Sequence, residues 1–69
     1  MKRKYTVRFD SSKEKWILEH DVSHRVLQVF DTKEDATRAG VLRKVIGPQG
    51  GSVRILRLNG AFEEERTFS

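Results

Sequence analysis

The chain predicts an α+β fold, a small five-stranded sheet in the order βββ-α-ββ with one helix packed on one face. Three observations carry this expectation. Short alternating stretches such as "KYTVRF" have the two-residue period of half-buried strands. The stretch "VFDTKEDATRAG", residues 29–40, changes from strand chemistry to helix chemistry within two residues. "NG" at 59–60 sits between two further strand-like runs, where it reads as a hairpin turn. At 69 residues the chain is one domain, 1–69, with room for only a modest core.

In the first strand, Tyr5, Val7 and Phe9 point one way and Lys4, Thr6 and Arg8 the other. "DSSKE" follows with short polar side chains that compete for backbone hydrogen bonds, which is turn chemistry. "KWILEH" makes a second strand with Trp16, Leu18 and His20 on one face and Ile17 on the outer one. "RVLQVF" makes a third, whose faces are ambiguous because both parities carry apolar residues.

Asp31 or Thr32 caps the helix, and Glu34 and Asp35 suit the positive end of its dipole. The helix runs near residues 32–46, with Ala36, Ala39, Leu42 and Ile46 as its buried stripe and Val41 and Val45 to one side. Gly47 followed by Pro48 stops it. "SVRILRL" is the fourth strand and "AFEEERTF" the fifth. A two-residue type I′ turn at Asn59–Gly60 pairs Arg57 with Phe62 and sets Arg54 opposite Glu65.

The net charge of +4 is unevenly placed. Residues 1–8 hold Lys2, Arg3, Lys4 and Arg8 and no acid, and residues 39–58 hold Arg43, Lys44, Arg54 and Arg57 and no acid. Acidic side chains outnumber basic ones in the two intervening and closing segments. Such clustering makes a local positive field. There is no cysteine, so neither a disulfide nor a thiolate metal site can staple the domain. No apolar run reaches the length of a membrane span, and none follows "MKRK" as a secretory signal would require. The expectation is a soluble cytoplasmic protein.

Catalysis finds little support. Ser11 and Ser12 have no base within a recognisable arrangement. Alternation splits Glu63 and Glu65 from Glu64. His20 and His24 flank a turn without a third metal ligand. "GPQGG" follows a helix, whereas phosphate loops precede one. Trp16 beside Leu18 reads as core. The expectation is a non-enzyme with no cofactor, no metal and no small-molecule substrate.

The residues at 16, 30–40, 50–51 and 53–69 carry a resemblance. A tryptophan strand, "FDTKEDATRAG", a glycine loop and "VRILRLNGAFEEERTFS" resemble the small bacterial and phage proteins grouped as domain of unknown function 2188. That family implies no activity. Residues 14–39, "EKWILEH…HRVLQVFDTKEDATRA", also resemble plant AP2-type DNA-binding domains. That likeness implies a three-stranded sheet laid in the major groove by arginine and tryptophan. This chain departs from the pattern, with few arginines on strands two and three and with Asp10, Glu19 and Asp21 nearby.

Two function classes follow. One is a nucleic-acid-binding module, DNA or RNA, with Lys2, Arg3, Lys4 and Arg8 on phosphates, helped by Arg54 and Arg57. The other is a protein-interaction or phage-type accessory module acting as a homodimer, with Ile17, Val41 and Val45 as exposed apolar anchors. Strand order separates them. If strand four lies beside strand one, the two basic segments meet on one stripe. If it lies beside strand three, they stay apart.

Overall fold

The computed structural model describes residues 3–68. Strands β1 (Lys4–Asp10), β2 (Lys15–His20), β3 (Val26–Phe30), β4 (Gly51–Leu56) and β5 (Phe62–Phe68) form one sheet, ordered β3-β2-β1-β4-β5. Two short helices, α1 (Lys33–Thr37) and α2 (Val41–Ile46), lie between β3 and β4 in sequence. β1 and β4 run parallel, and the other three pairings are antiparallel. The α+β architecture with five strands is as expected. The single helix is corrected to two.

The break between the helices has local causes. Thr37 turns its hydroxyl back onto the Lys33 carbonyl, 3.0 Å away. Arg38 is extended, with φ −59° and ψ 145°, and Gly40 is left-handed at φ 85°. A left-handed residue costs glycine nothing and most others strain. The Val41 N–H then bonds the Arg38 carbonyl at 3.0 Å. Ala39 consequently leaves the expected stripe and is exposed, while Ala36, Leu42 and Ile46 stay buried. The start and stop are as read. The Thr32 side chain accepts from the Asp35 N–H at 3.0 Å, and Gly47 closes α2.

The helices cover one face. Tyr5, Val7, Trp16, Leu18, Ala36, Leu42, Ile46, Val53 and Ile55 make the core. The register explains which side chains point inward: Phe9 lies opposite Trp16, Val7 opposite Leu18, and Tyr5 beside Val53. Trp16 is core, edge-on to Phe9 with ring centroids 5.6 Å apart. Its partner across β3 is Phe30, and that of Leu18 is Gln28, which settles the ambiguous faces of β3.

The closing hairpin differs from the type I′ expectation. Only Gly60, at φ 89°, is left-handed in the turn. The Gly60 N–H bonds the Arg57 carbonyl at 2.8 Å, and the Asn59 side chain accepts from the Ala61 N–H at 3.0 Å. This matches a three-residue loop with glycine in the left-handed position. A bulge follows between Ile55 and Leu56, so Phe62 faces Leu56 rather than Arg57. Arg54 still faces Glu65.

Candidate nucleic-acid interface

The second face of the sheet has no helix over it. Alternation along β1 places Lys4, Thr6 and Arg8 there, and alternation along β4 places Ser52, Arg54 and Leu56 beside them. Lys4 pairs with Ser52 and Thr6 with Arg54 in the parallel ladder. Arg54 is therefore a diagonal neighbour of both Lys4 and Arg8. The strand order that lets the two basic segments meet is the one the chain adopts.

The cations of this row are not equally free. The Arg8 Nε donates to Glu19 Oε1 at 2.6 Å. That hydrogen bond raises the guanidinium pKa still further, against a smaller opposing effect of burial. The Glu19 side chain is only 11% exposed, so the pair is a fixed part of the sheet. Thr6 donates to Asp21 at 2.6 Å. Lys15 is held by Asp31 at 2.5 Å, which lowers the Asp31 pKa. Lys4 and Arg54 are exposed, and the ion pairs among the described residues involve neither.

The other candidates fall differently. Lys2 lies outside the described residues. Arg3 is exposed, and its carbonyl accepts from the Ser52 N–H at 2.9 Å, which ties its backbone to the start of β4. Arg57 is exposed beyond the end of β4, and its charge helps to lower the Glu63 pKa. The chief cause of that shift is the hydrogen bond from Lys33 on α1, so Arg57 belongs with that group and not with Arg54.

Ile17 corrects an expectation. It does lie on the outer face, but it is 1% exposed and cannot be an exposed anchor. β2 is flanked on both sides, so Ile17 sits between Arg8 and Val29, with Lys15 and Glu19 two positions away along its own strand. The ion pairs of those neighbours hold long side chains around it. Val41 and Val45 are half-buried rather than exposed. They line a cleft of about 550 Å³ with Lys44, Leu27, Gln28 and Phe30, on the helix side of the sheet. The three expected anchors thus divide between two faces.

The remaining polar groups serve turns. Ser12 donates its hydroxyl to Asp10 at 2.6 Å and lowers that carboxyl's pKa. His20 Nδ1 accepts from the Val22 N–H at 3.2 Å, and its ring stands edge-on to Tyr5. No cluster of His, Cys, Asp or Glu able to hold a metal occurs among the described residues. No helix there is long and apolar enough to cross a membrane.

What sequence reasoning missed is the cleft's third wall, Leu27, Gln28 and Phe30. Three uncharged residues on a strand of uncertain facing gave no signal until the register was known. The family described as an uncharacterized protein conserved in bacteria, domain of unknown function 2188, matches residues 5–68. No curated protein and no solved structure matches the chain.

Proposed function

We propose that this chain, which belongs to the bacterial family of domain of unknown function 2188, is a small non-enzymatic module that binds nucleic-acid phosphates weakly and with little sequence preference. The observation that supports it is the β1–β4 pairing, which sets Lys4 and Arg54 side by side on an uncovered sheet face. Arg3 is exposed next to Lys4 in the chain, one residue out of the alternation that makes the row, and Lys2 is the next basic residue. Arg8 contributes less because Glu19 already satisfies it. Contacts of this kind position a protein without reading bases. Such a module would act in the bacterial cytoplasm.

Three to four phosphate contacts imply a log–log salt slope of about −3 for duplex DNA. Titration of mixed-sequence duplex and single-stranded oligonucleotides over a salt series tests this. The K4A/R54A double variant should reduce the slope by about 2. The E19Q variant should increase it by about 1, because it removes an acid from the face and releases Arg8. Absence of binding at low salt, or a slope untouched by K4A/R54A, refutes the reading.

Self-association is a second reading, favoured by the cleft in which Val41 and Val45 meet Leu27 and Phe30. The two are compatible. The cleft is at one edge of the sheet on the helix side, and the basic row is on the opposite face.

A further inference from the structure

The side chains of β5 change face part-way along the strand. Its C-terminal part alternates regularly. The Thr67 and Ser52 hydroxyls lie 3.5 Å apart on the open face. Arg66 reaches the Thr37 carbonyl on the helix side, where Phe68 packs against the core. Glu64 bonds Arg66 and shares that side. Plain alternation would put Phe62 there as well. The bulge between Ile55 and Leu56 prevents it, because Glu63 becomes an extra residue on β5. Glu63 also points to the helix side, where Lys33 of α1 bonds it. Phe62 pairs directly with Leu56, so it turns to the open face. Bulges re-aim side chains in this way.

The outcome is a phenylalanine that is 57% exposed on the face that carries Lys4 and Arg54. The core excludes it, and so do the two aromatic pairs among the described residues. Arg54 is its diagonal neighbour, about 7–8 Å away between Cα atoms. Lys4 is level with Ser52, about 13 Å along the strands from the Leu56–Phe62 pair. Glu65 lies on the same face opposite Arg54, and the ion pairs among the described residues do not join the two. That acid keeps the phosphate contacts few, which leaves a larger share of any affinity to the ring.

We infer that this face takes single-stranded nucleic acid, with Arg54 and Lys4 on the backbone and one base stacked on the Phe62 ring. The site rests on the phosphate-binding reading, because a base reaches Phe62 only when the backbone is held beside it. Every base has a flat π-face, so stacking on an aromatic side chain tolerates any sequence. In a duplex those faces are covered by neighbouring bases, whereas an unpaired strand can splay one out. Charge selects this occupant over an apolar partner. An apolar partner would bury Lys4 and Arg54 without counterions, and a single strand pairs the cations and covers the ring.

The test measures binding of the full chain, at one low salt concentration, to a mixed-sequence single-stranded oligonucleotide, to a duplex of that sequence and to an abasic strand of the same length. The abasic strand keeps the phosphates and lacks the bases. The wild type should bind the intact single strand at least about fivefold tighter than the abasic one. F62A should erase that difference and should weaken single-strand binding more than duplex binding. F62Y should keep the difference, and F62L, which is apolar but has no ring, should lose it. If F62A fails to fold, F62Y and F62L decide. A wild type that binds the intact and abasic strands equally overturns the stacking site and leaves the phosphate-binding reading standing. A wild type that binds no strand at low salt removes both. Persistence of the difference in F62A or F62L overturns the role of the ring. So does a wild-type dimer that F62A returns to monomer in light scattering, since Phe62 is then covered by a second copy.

Discussion

The guanidinium of Arg66, on β5, donates through Nη1 to the carbonyl of Thr37 at 3.0 Å. Thr37 is the last residue of α1, and its carbonyl has lost the helical partner that a continuous helix would have supplied at Val41, whose N–H bonds Arg38 instead. One side chain from the far end of the sheet thus completes the terminus of a helix broken by its own sequence. Arg66 also reaches Glu64 at 3.2 Å, which fixes its orientation.

Replacing Arg66 with methionine keeps most of the apolar stem and removes both contacts. A hydrogen bond from a charged donor to an otherwise unpartnered carbonyl contributes about 1.5 kcal/mol. The variant should melt lower by about 5–10 °C, and amide exchange should accelerate first in α1 and α2. An unchanged midpoint would show that water replaces the guanidinium at no cost.

Gly51 opens β4 beside the start of β1. A Cβ there would lie 2.6 Å from the Arg3 carbonyl oxygen and 3.0 Å from Tyr5 Cε2, at φ 146°. The first neighbour is backbone and the second belongs to a core tyrosine, so neither yields readily. The G51A variant should lose about 2 kcal/mol or more, since the strained backbone and the overlap both count against it. G40A tests a different quantity. Nothing lies within 4 Å of a Cβ at Gly40, whose φ is 85°, so only the backbone strain should appear there. G51A should be the more damaging of the two in a urea titration.

Three carboxyls have pKa values held below their ordinary range: Asp31 and Glu63 by lysine hydrogen bonds, and Asp10 by Ser12. A carboxylate whose pKa is lower folded than unfolded stabilises the fold above the unfolded value. That contribution is lost as the pH falls through the folded one. Stability should therefore hold at neutral pH and decline as acid passes through and below the usual carboxylate range. E63Q removes one of the three groups and should flatten that decline, as should K33M by freeing Glu63. A wild-type unfolding midpoint that does not move on acidification would contradict the role of these pairs.

The local chemistry of this chain decides a great deal without any tertiary contact. Thr32 with Asp35 starts a helix, Gly47–Pro48 ends one, and the alternation of Tyr5, Val7 and Phe9 selects the buried face of β1. The cross-strand position of Glu65 against Arg54 also follows from "NG", although the loop has three residues and a bulge absorbs the difference. These features depend on interactions within a few residues, and sequence records them directly. The interruption at Arg38–Gly40 lay in plain view as "RAG", yet a glycine inside a helical pattern is usually tolerated. Arg66, 29 residues away from Thr37, bonds the carbonyl that the break leaves without a helical partner. Burial of Ile17 depends on which strands flank it and on the Arg8–Glu19 pair beside it, so no periodicity could reveal it. Above all, strand order was undecided by sequence, because β4 could pair with β1 or with β3 on equal local terms. In the folded chain β4 pairs with β1, and Val53 and Ile55 join Tyr5 and Val7 in one core. That choice put Lys4 next to Arg54 and left the uncharged edge of β3 free.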